Sequence, residues 1–242
     1  MEPLYMIQCT LDPRAFMAFA REQNLDPGRD ELDLGYLGHA WLKAAFGELA
    51  PAPWRLFMPR RSMVTPPRIL AYSSHPVEAL ADHLDRFGTP SVAAVCPSEN
   101  IQGKTMPTEW PMERRYGFEV LCCPVGRKAG KGPEMDIYLI RADHSSENHL
   151  DRLDIYRHWF RERLHNNPGV QVVEVEVDSF RLGRILRKTQ NRKRKEVRAM
   201  RPQAVFRGLL EAKDSESLLA LLQRGVGRHR AFGFGMVLLR PA

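Results

Sequence analysis

The sequence predicts an α+β protein of two tandem units of similar plan, and three observations carry that expectation. Short apolar runs with strand spacing, such as QVVEVEV at Gln171–Val177, are interspersed with segments of helical periodicity. The order β, α, β, β, α, β can be written out along the first part of the 242 residues, and a second α+β unit follows. Between them lies PSENIQGKTMPTEWPMERR, Pro97–Arg115, rich in proline and polar residues, which reads as a linker. With 43% hydrophobic and 27% charged residues, the chain has the composition of a globular protein with a real core.

Taken in order, the first strand is expected at Leu4–Cys9 and a helix at Asp33–Phe46. Strands follow at Trp54–Met58 and Arg68–Tyr72, a helix at Val77–Phe87, and a closing strand at Val92–Cys96. That order is the split βαβ plan of a ferredoxin-like unit, which RNA-recognition modules also use. The second unit has strands at Gly117–Cys123 and Met135–Ile140, a helix at Asn148–Leu164, and strands at Val170–Val177 and Ala204–Ala212. A helix at Ser215–Gln223, opened by Asp214 or Ser215, and a strand at Gly235–Arg240 complete it. The predicted division is residues 1–97, a linker 98–115, and residues 116–242.

Charge is distributed unevenly. The segment RLGRILRKTQNRKRKEVRAMR, Arg181–Arg201, holds ten Lys or Arg against one Glu, so the rest of this +7 chain carries a net −2. A positive field confined to 21 residues suits a clamp on a polyanion, although a solvated basic loop or a targeting signal has the same composition. No Gly or Pro interrupts Ile185–Arg201, and Leu182, Ile185, Leu186 and Thr189 recur at helical spacing. The expectation is a basic helical finger, roughly 30 Å long at ~1.5 Å per residue. Its candidate RNA contacts are Arg184, Arg187, Lys188, Arg192, Lys193, Arg194, Lys195 and Arg198.

The four cysteines, Cys9, Cys96, Cys122 and Cys123, show neither a disulfide framework nor CxxC pairs and read as reduced, buried thiols. The N-terminal residues lack the pattern of a signal peptide, and no run of 18 apolar residues occurs, so a cytoplasmic location is expected. The histidines His75, His83, His144, His149, His158 and His165 show no metal-ligand spacing, and Trp159 and Phe160 read as core.

RGVGRHRAFGFG, Arg224–Gly235, is the densest glycine stretch. A dinucleotide fingerprint opens a helix after a strand, whereas here a helix precedes the glycines and only a short strand follows. What remains is a glycine loop flanked by Arg228, His229 and Arg230, suited to a polynucleotide backbone.

This tail resembles the C-terminus of CRISPR-associated repeat-processing endoribonucleases of the RAMP superfamily. Phe206-Arg207-Gly208 fills their F-x-G strand signature and Asp214 leads the following helix. Gly225, Val226, Gly227, Arg230, Ala231, Gly233 and Gly235 fill G-[IV]-G-x-x-[KR]-[AS]-x-G-x-G. DLGYLGHAWLKAAFG, Asp33–Gly47, is similar to the active-site helix of the type I-E branch, with Tyr36 and His39 in Tyr-x-x-His. At 100° per residue Leu34, Leu37, Trp41, Leu42 and Ala45 share one face, and Tyr36, His39 and Lys43 lie opposite.

The resemblance implies cleavage of precursor CRISPR RNA on the 3′ side of each repeat stem-loop by 2′-OH attack. It further implies retention of the mature guide among effector-complex subunits, with no metal, cofactor or membrane involved. His39 would take the proton, Tyr36 hold the nucleophile or phosphate, and Lys43 stabilise charge. Where that branch has Asn-Pro and basic residues, this chain has Cys123-Pro124 followed by Arg127 and Lys128, further candidate RNA contacts. Gly225, Gly227, Arg228, His229, Arg230, Gly233 and Gly235 would hold the RNA backbone. These departures point to a divergent subtype such as type IV. The competing readings are a catalytically silent RAMP subunit that holds guide RNA as a scaffold, and a DNA-binding protein using the basic finger.

Overall fold

The computed structural model describes residues 3–25, 32–59, 65–128, 132–144, 150–188 and 196–242, with side chains described except at 184–188 and 196–199. The chain divides into two compact units. One comprises Met1–Pro107, Leu186–Val197 and Ala231–Gly233, and the other Thr108–Ile185, Arg198–Arg230 and Phe234–Ala242.

In the first unit the elements are β1 (Tyr5–Thr10), α1 (Pro13–Glu22), α2 (Leu34–Phe46), β2 (Trp54–Phe57), β3 (Arg68–Ser73), α3 (Val77–Phe87), α4 (Pro90–Val95) and β4 (Ile101–Thr105). The sheet order is β2-β3-β1-β4, with every pairing antiparallel and Ile7 opposite both Ala71 and Gly103. A strand pair at the centre with the two others outside is the ferredoxin-like arrangement expected from element order. Ile7 and Cys9 of β1, Ile69 and Ala71 of β3, Leu37 and Trp41 of α2, and Leu80 and Leu84 of α3 share one core. Trp41 Nε1 donates to the Val92 carbonyl at 3.1 Å, so this indole is both apolar filling and a tie to α4.

Three local expectations change here. α1 lies in a stretch to which the sequence pattern assigned nothing; Asp12 caps it, accepting from Arg14 N and Ala15 N at 2.8 Å, and Pro13 sits in its first turn. Val92–Cys96 does not close the sheet: Pro90–Val95 is a short helix, its chain preset by Pro90. The fourth strand is β4, inside the segment read as a linker. Four of its five residues are exposed, as at a sheet edge, which removed the apolar alternation a strand is read from.

The second unit is built on β5 (Arg115–Cys122), β6 (Val125–Gly126), β7 (Met135–Asp136), α5 (Ile137–Ala142), α6 (Arg152–His165), β8 (Val170–Lys188), β9 (Glu196–Ala212), α7 (Ser215–Arg224) and β10 (Val237–Pro241), of which the end of β8 from Leu186 and the start of β9 to Val197 count with the first unit. Its main sheet runs β10-β5-β9-β8, the same order as the first, and β6 pairs with β7 separately. Phe118 of β5, Phe160 of α6 and Phe206 of β9 stack at 5.4 and 4.7 Å between ring centroids, all at most 2% exposed. The F-x-G signature thus has a packing cause. Phe206 fills this core, and a Cβ at Gly208 would lie 2.0 Å from the Glu174 carbonyl oxygen.

The strand expected at Met135–Ile140 is a strand only at Met135–Asp136. Asp136 then caps α5 by accepting from Tyr138 N at 2.9 Å. The basic segment is not a helical finger either. β8 continues to Lys188 and β9 resumes at Glu196, leaving only 189–195 outside the described residues. Asp178 meets Arg207 and Arg181 meets Gln203, contacts that advance in opposite directions along the two strands, so they form an antiparallel hairpin. Cross-strand pairing outweighs the helix propensity of the Lys/Arg-rich sequence. Among the described residues, no helix is long and apolar enough to cross a membrane.

Candidate active site

α2 begins where Asp33 Oδ1 accepts from Tyr36 N at 3.0 Å, and it buries Leu37, Trp41, Leu42, Ala45 and Phe46. Tyr36 and His39 are half-buried on another side of the helix. The cover is Phe232, which stacks on Tyr36 (centroids 6.0 Å, planes 12° apart) and meets the His39 ring edge-on at 5.1 Å. Tyr36 and His39 are themselves 6.5 Å apart, edge to face.

Two glycines of α2 make this approach possible. A Cβ at Gly35 would lie 2.6 Å from the Phe232 carbonyl oxygen, and one at Gly38 would lie 2.4 Å from Trp54 Cη2. Trp54 is 1% exposed and donates its indole N–H to the Ala231 carbonyl at 3.0 Å. Gly233, at φ +85°, carries the chain past the indole, with a would-be Cβ 3.1 Å from it. Burial pulls the His39 pKa below its usual value and the nearby Lys43 ammonium pulls it further, with the Ala231 backbone offsetting only part, so the surroundings favour the neutral imidazole over the charged one.

Lys43, placed by the sequence on the same face, is exposed and turned toward the end of α2. Its ammonium donates to the Gly47 carbonyl at 3.1 Å and lies 3.8 Å from Glu48. Its influence on His39 is therefore electrostatic.

The glycine stretch is organised by the chain's own contacts. Gly225 N closes α7 on Leu221 O, Val226 N donates to Gly235 O, and Gly235 N donates to Leu121 O, at 2.7, 2.9 and 2.7 Å. Gly235, at φ +80°, leaves no room for a side chain, since a Cβ would lie 2.4 Å from Val226 O. Gly227 passes over Trp159. Arg228 pairs with Glu134 at 2.5 Å, His229 reaches the other Glu134 oxygen at 2.9 Å, and Arg230 donates to the Arg224 carbonyl at 2.6 Å. Arg127 is exposed, and Lys128 is ion-paired with Asp143. Arg184, Arg187, Lys188 and Arg198 have strand backbone, but their side chains, and all of Arg192, Lys193, Arg194 and Lys195, lie outside the described residues.

Sequence reasoning missed Trp54, Phe232 and Glu134. Trp54 bonds a carbonyl 177 positions away, which no local pattern encodes. Phe232 falls on a variable position of the glycine signature.

Solved structures share the fold along the whole chain. Thermus thermophilus Cse3 bound to an RNA representing a pre-cleavage complex matches with a TM-score of 0.63 and 20% identity over 99% of this chain and 100% of that one. A second structure, CRISPR endoribonuclease Cse3 bound to 19 nt RNA, gives 0.62 and 20% over 99% and 100%. Cas6e from Escherichia coli str. K-12 gives 0.56 and 16% over 98% and 100%. No curated protein matches. A family model described as CRISPR associated protein spans residues 4–241, and by that match the chain belongs to the CRISPR-associated protein family.

Proposed function

We propose that this chain is an endoribonuclease that cuts precursor CRISPR RNA on the 3′ side of each repeat stem-loop and stays on the mature guide within an effector complex. The observation that carries the reading is His39, half-buried beside Tyr36 and against Phe232, with burial and Lys43 lowering its pKa. RNA supplies its own nucleophile, so the reaction needs a proton acceptor and a held phosphate but no metal. His39 takes the proton of the 2′-OH, O2′ bonds to phosphorus, and the P–O5′ bond breaks. The O5′ leaving group takes up a proton from water. The products are a 2′,3′-cyclic phosphate and a 5′-hydroxyl. Tyr36, beside His39, orients the hydroxyl or the phosphate.

Affinity for the stem comes from the basic hairpin, together with Arg127 and Lys128 and the exposed cations Arg228 and Arg230 of the glycine loop. Phosphate neutralisation of this kind weakens steeply as salt rises. The likeness in fold to RNA-bound Cse3 supports RNA as the ligand.

The test is cleavage of labelled repeat RNA in EDTA by the purified chain and by His39→Ala, with end mapping. Cutting 3′ of the stem to a cyclic phosphate, slowed about 10²–10⁴-fold in the variant with binding retained, is the expected result. Binding of the cognate repeat with no cleavage would replace this reading with a scaffold subunit, and a preference for duplex DNA would remove it.

A further inference from the structure

Resting on RNA as the ligand of this chain, we infer that the first sheet binds single-stranded RNA outside the repeat stem on the face turned from its core. Phe57 stacks a base there, and Arg68 and Lys104 hold phosphates. Side chains alternate across a strand, and Ile7, Cys9, Trp54, Ile69, Ala71 and Ile101 point into the core. Their neighbours in the chain therefore point the other way. The register sets Phe57 opposite Arg68, Arg68 opposite Thr10, and Arg55 opposite Leu70. Gln8 lies between Leu70 and Gln102, and Met6 between Tyr72 and Lys104. Tyr72 is buried, so the open part of the face runs from Phe57 and Arg68 to Gln102 and Lys104.

The charge of this face is one-sided. Its charged residues are Arg55, Arg68 and Lys104, and it carries no carboxylate. Arg68 and Lys104 are exposed, and neither has a carboxylate partner among the described residues. The guanidinium carbons of Arg55 and Arg68 lie 4.8 and 5.6 Å from the centre of the half-buried Phe57 ring, so cations gather around one aromatic. The second sheet differs: on its outward face Arg207 bonds Glu119 at 2.7 Å and Asp178 at 2.6 Å, and Arg115 lies 3.8 Å from Glu211. There the cations are neutralised within the chain.

Three properties select the occupant. Cations without carboxylates select a polyanion. A ring on a sheet offers a π face that a base can use only when it is not already stacked inside a duplex, which selects a single strand. The amides of Gln8 and Gln102, 3.5 Å apart across β1 and β4, carry donors and acceptors for base edges. Four strands at ~4.8 Å spacing span about 14 Å, room for two or three nucleotides. A precursor RNA continues past its stem, so unpaired RNA of this kind is part of the substrate proposed above.

Fluorescence anisotropy with the full chain tests this on labelled RNAs: a repeat stem-loop, the same stem-loop with a run of unpaired uridines on its 5′ or its 3′ side, and the uridine run alone. Phe57→Leu removes the π face and keeps apolar bulk, and Arg68→Gln removes one exposed charge. In the parent chain a uridine-flanked RNA binds more tightly than the bare stem-loop. Phe57→Leu weakens the flanked RNA about five- to fiftyfold, as loss of a stacked base does, and leaves the bare stem-loop within about twofold. Arg68→Gln lowers the slope of log K against log salt for the flanked RNA by about 0.7, the share of one phosphate on a single strand. Equal affinity for bare and flanked stem-loops overturns the inference, as does a flank whose contribution survives both substitutions. Arg68→Gln decides alone if Phe57→Leu fails to fold. A chain that holds the stem-loop without cutting it loses the nuclease reading instead. The uridine run then still reports whether the sheet face binds, so the two failures are distinguishable.

Discussion

Gly38→Ala offers a test in which the sign alone is decisive. At an exposed helical position, replacing Gly with Ala stabilises by about 1 kcal/mol, because backbone entropy is reduced. At Gly38 the new Cβ would lie 2.4 Å from Trp54 Cη2 and 2.9 Å from Cζ3, both well inside the ~3.5–4.0 Å at which carbon atoms pack. The indole cannot swing clear without breaking its 3.0 Å hydrogen bond to Ala231. Overpacking of a well-filled site costs about 1–3 kcal/mol, and a contact this short belongs at the upper end.

The difference is a net loss of about 2 kcal/mol, or a fall in Tm of about 4–8 °C for a chain of this size. Thermal melts followed by circular dichroism measure it. The same exchange in a Trp54→Phe background, which lacks the two clashing atoms, should be neutral or stabilising. A rise in Tm in the parent background, or an equal loss in both, would refute the packing argument.

Tyr156→Phe should lower stability by about 1–3 kcal/mol in urea unfolding. It strips Asp136, 7% exposed, of a hydroxyl that donates to it at 2.9 Å, and leaves Arg152 as its remaining side-chain partner among the described residues. Glu134 gives a pH signature. Burial pushes its carboxyl up, but Arg228 and His229 outweigh burial and hold it below the usual range. Its stabilisation is complete above the unfolded value near ~4.3 and is lost as pH falls through the folded one, so the deficit of Glu134→Gln should be full at pH 7 and shrink below pH 4. All four cysteines are buried, Cys9 is raised well above the ordinary thiol pKa by its hydrogen bond to Cys96 and by burial, and burial pushes Cys123 up to about 12. Ellman's reagent at pH 8 should therefore titrate no thiol in the native chain and four in denaturant.

What the sequence disclosed was what is encoded locally. The apolar spacing placed α2 to within a residue, and the 100° rule put Tyr36 and His39 together. α1 has an equally local signal in Asp12-Pro13, a capping aspartate followed by a proline in the first turn. β4 was hidden by the polarity of an edge strand, and the basic hairpin by the helix propensity of Lys and Arg, which yields once a neighbouring strand is present. The glycine signature was legible as a pattern, whereas the contacts two of its glycines make within the chain were not. Gly233 and Gly235 make room for an indole and for a carbonyl oxygen of the chain itself.

The interleaving of the two units bears on how such a protein can evolve. Ala231–Gly233 belongs to the first unit although the chain on either side of it belongs to the second. A recombination that exchanged only residues 1–107 between two relatives would set the new Trp54 and the new Gly35 against the 231 and 232 carbonyls of the other parent. An exchange of residues 1–107 alone therefore has to preserve the fit of positions 35 and 54 to the backbone at 231 and 232.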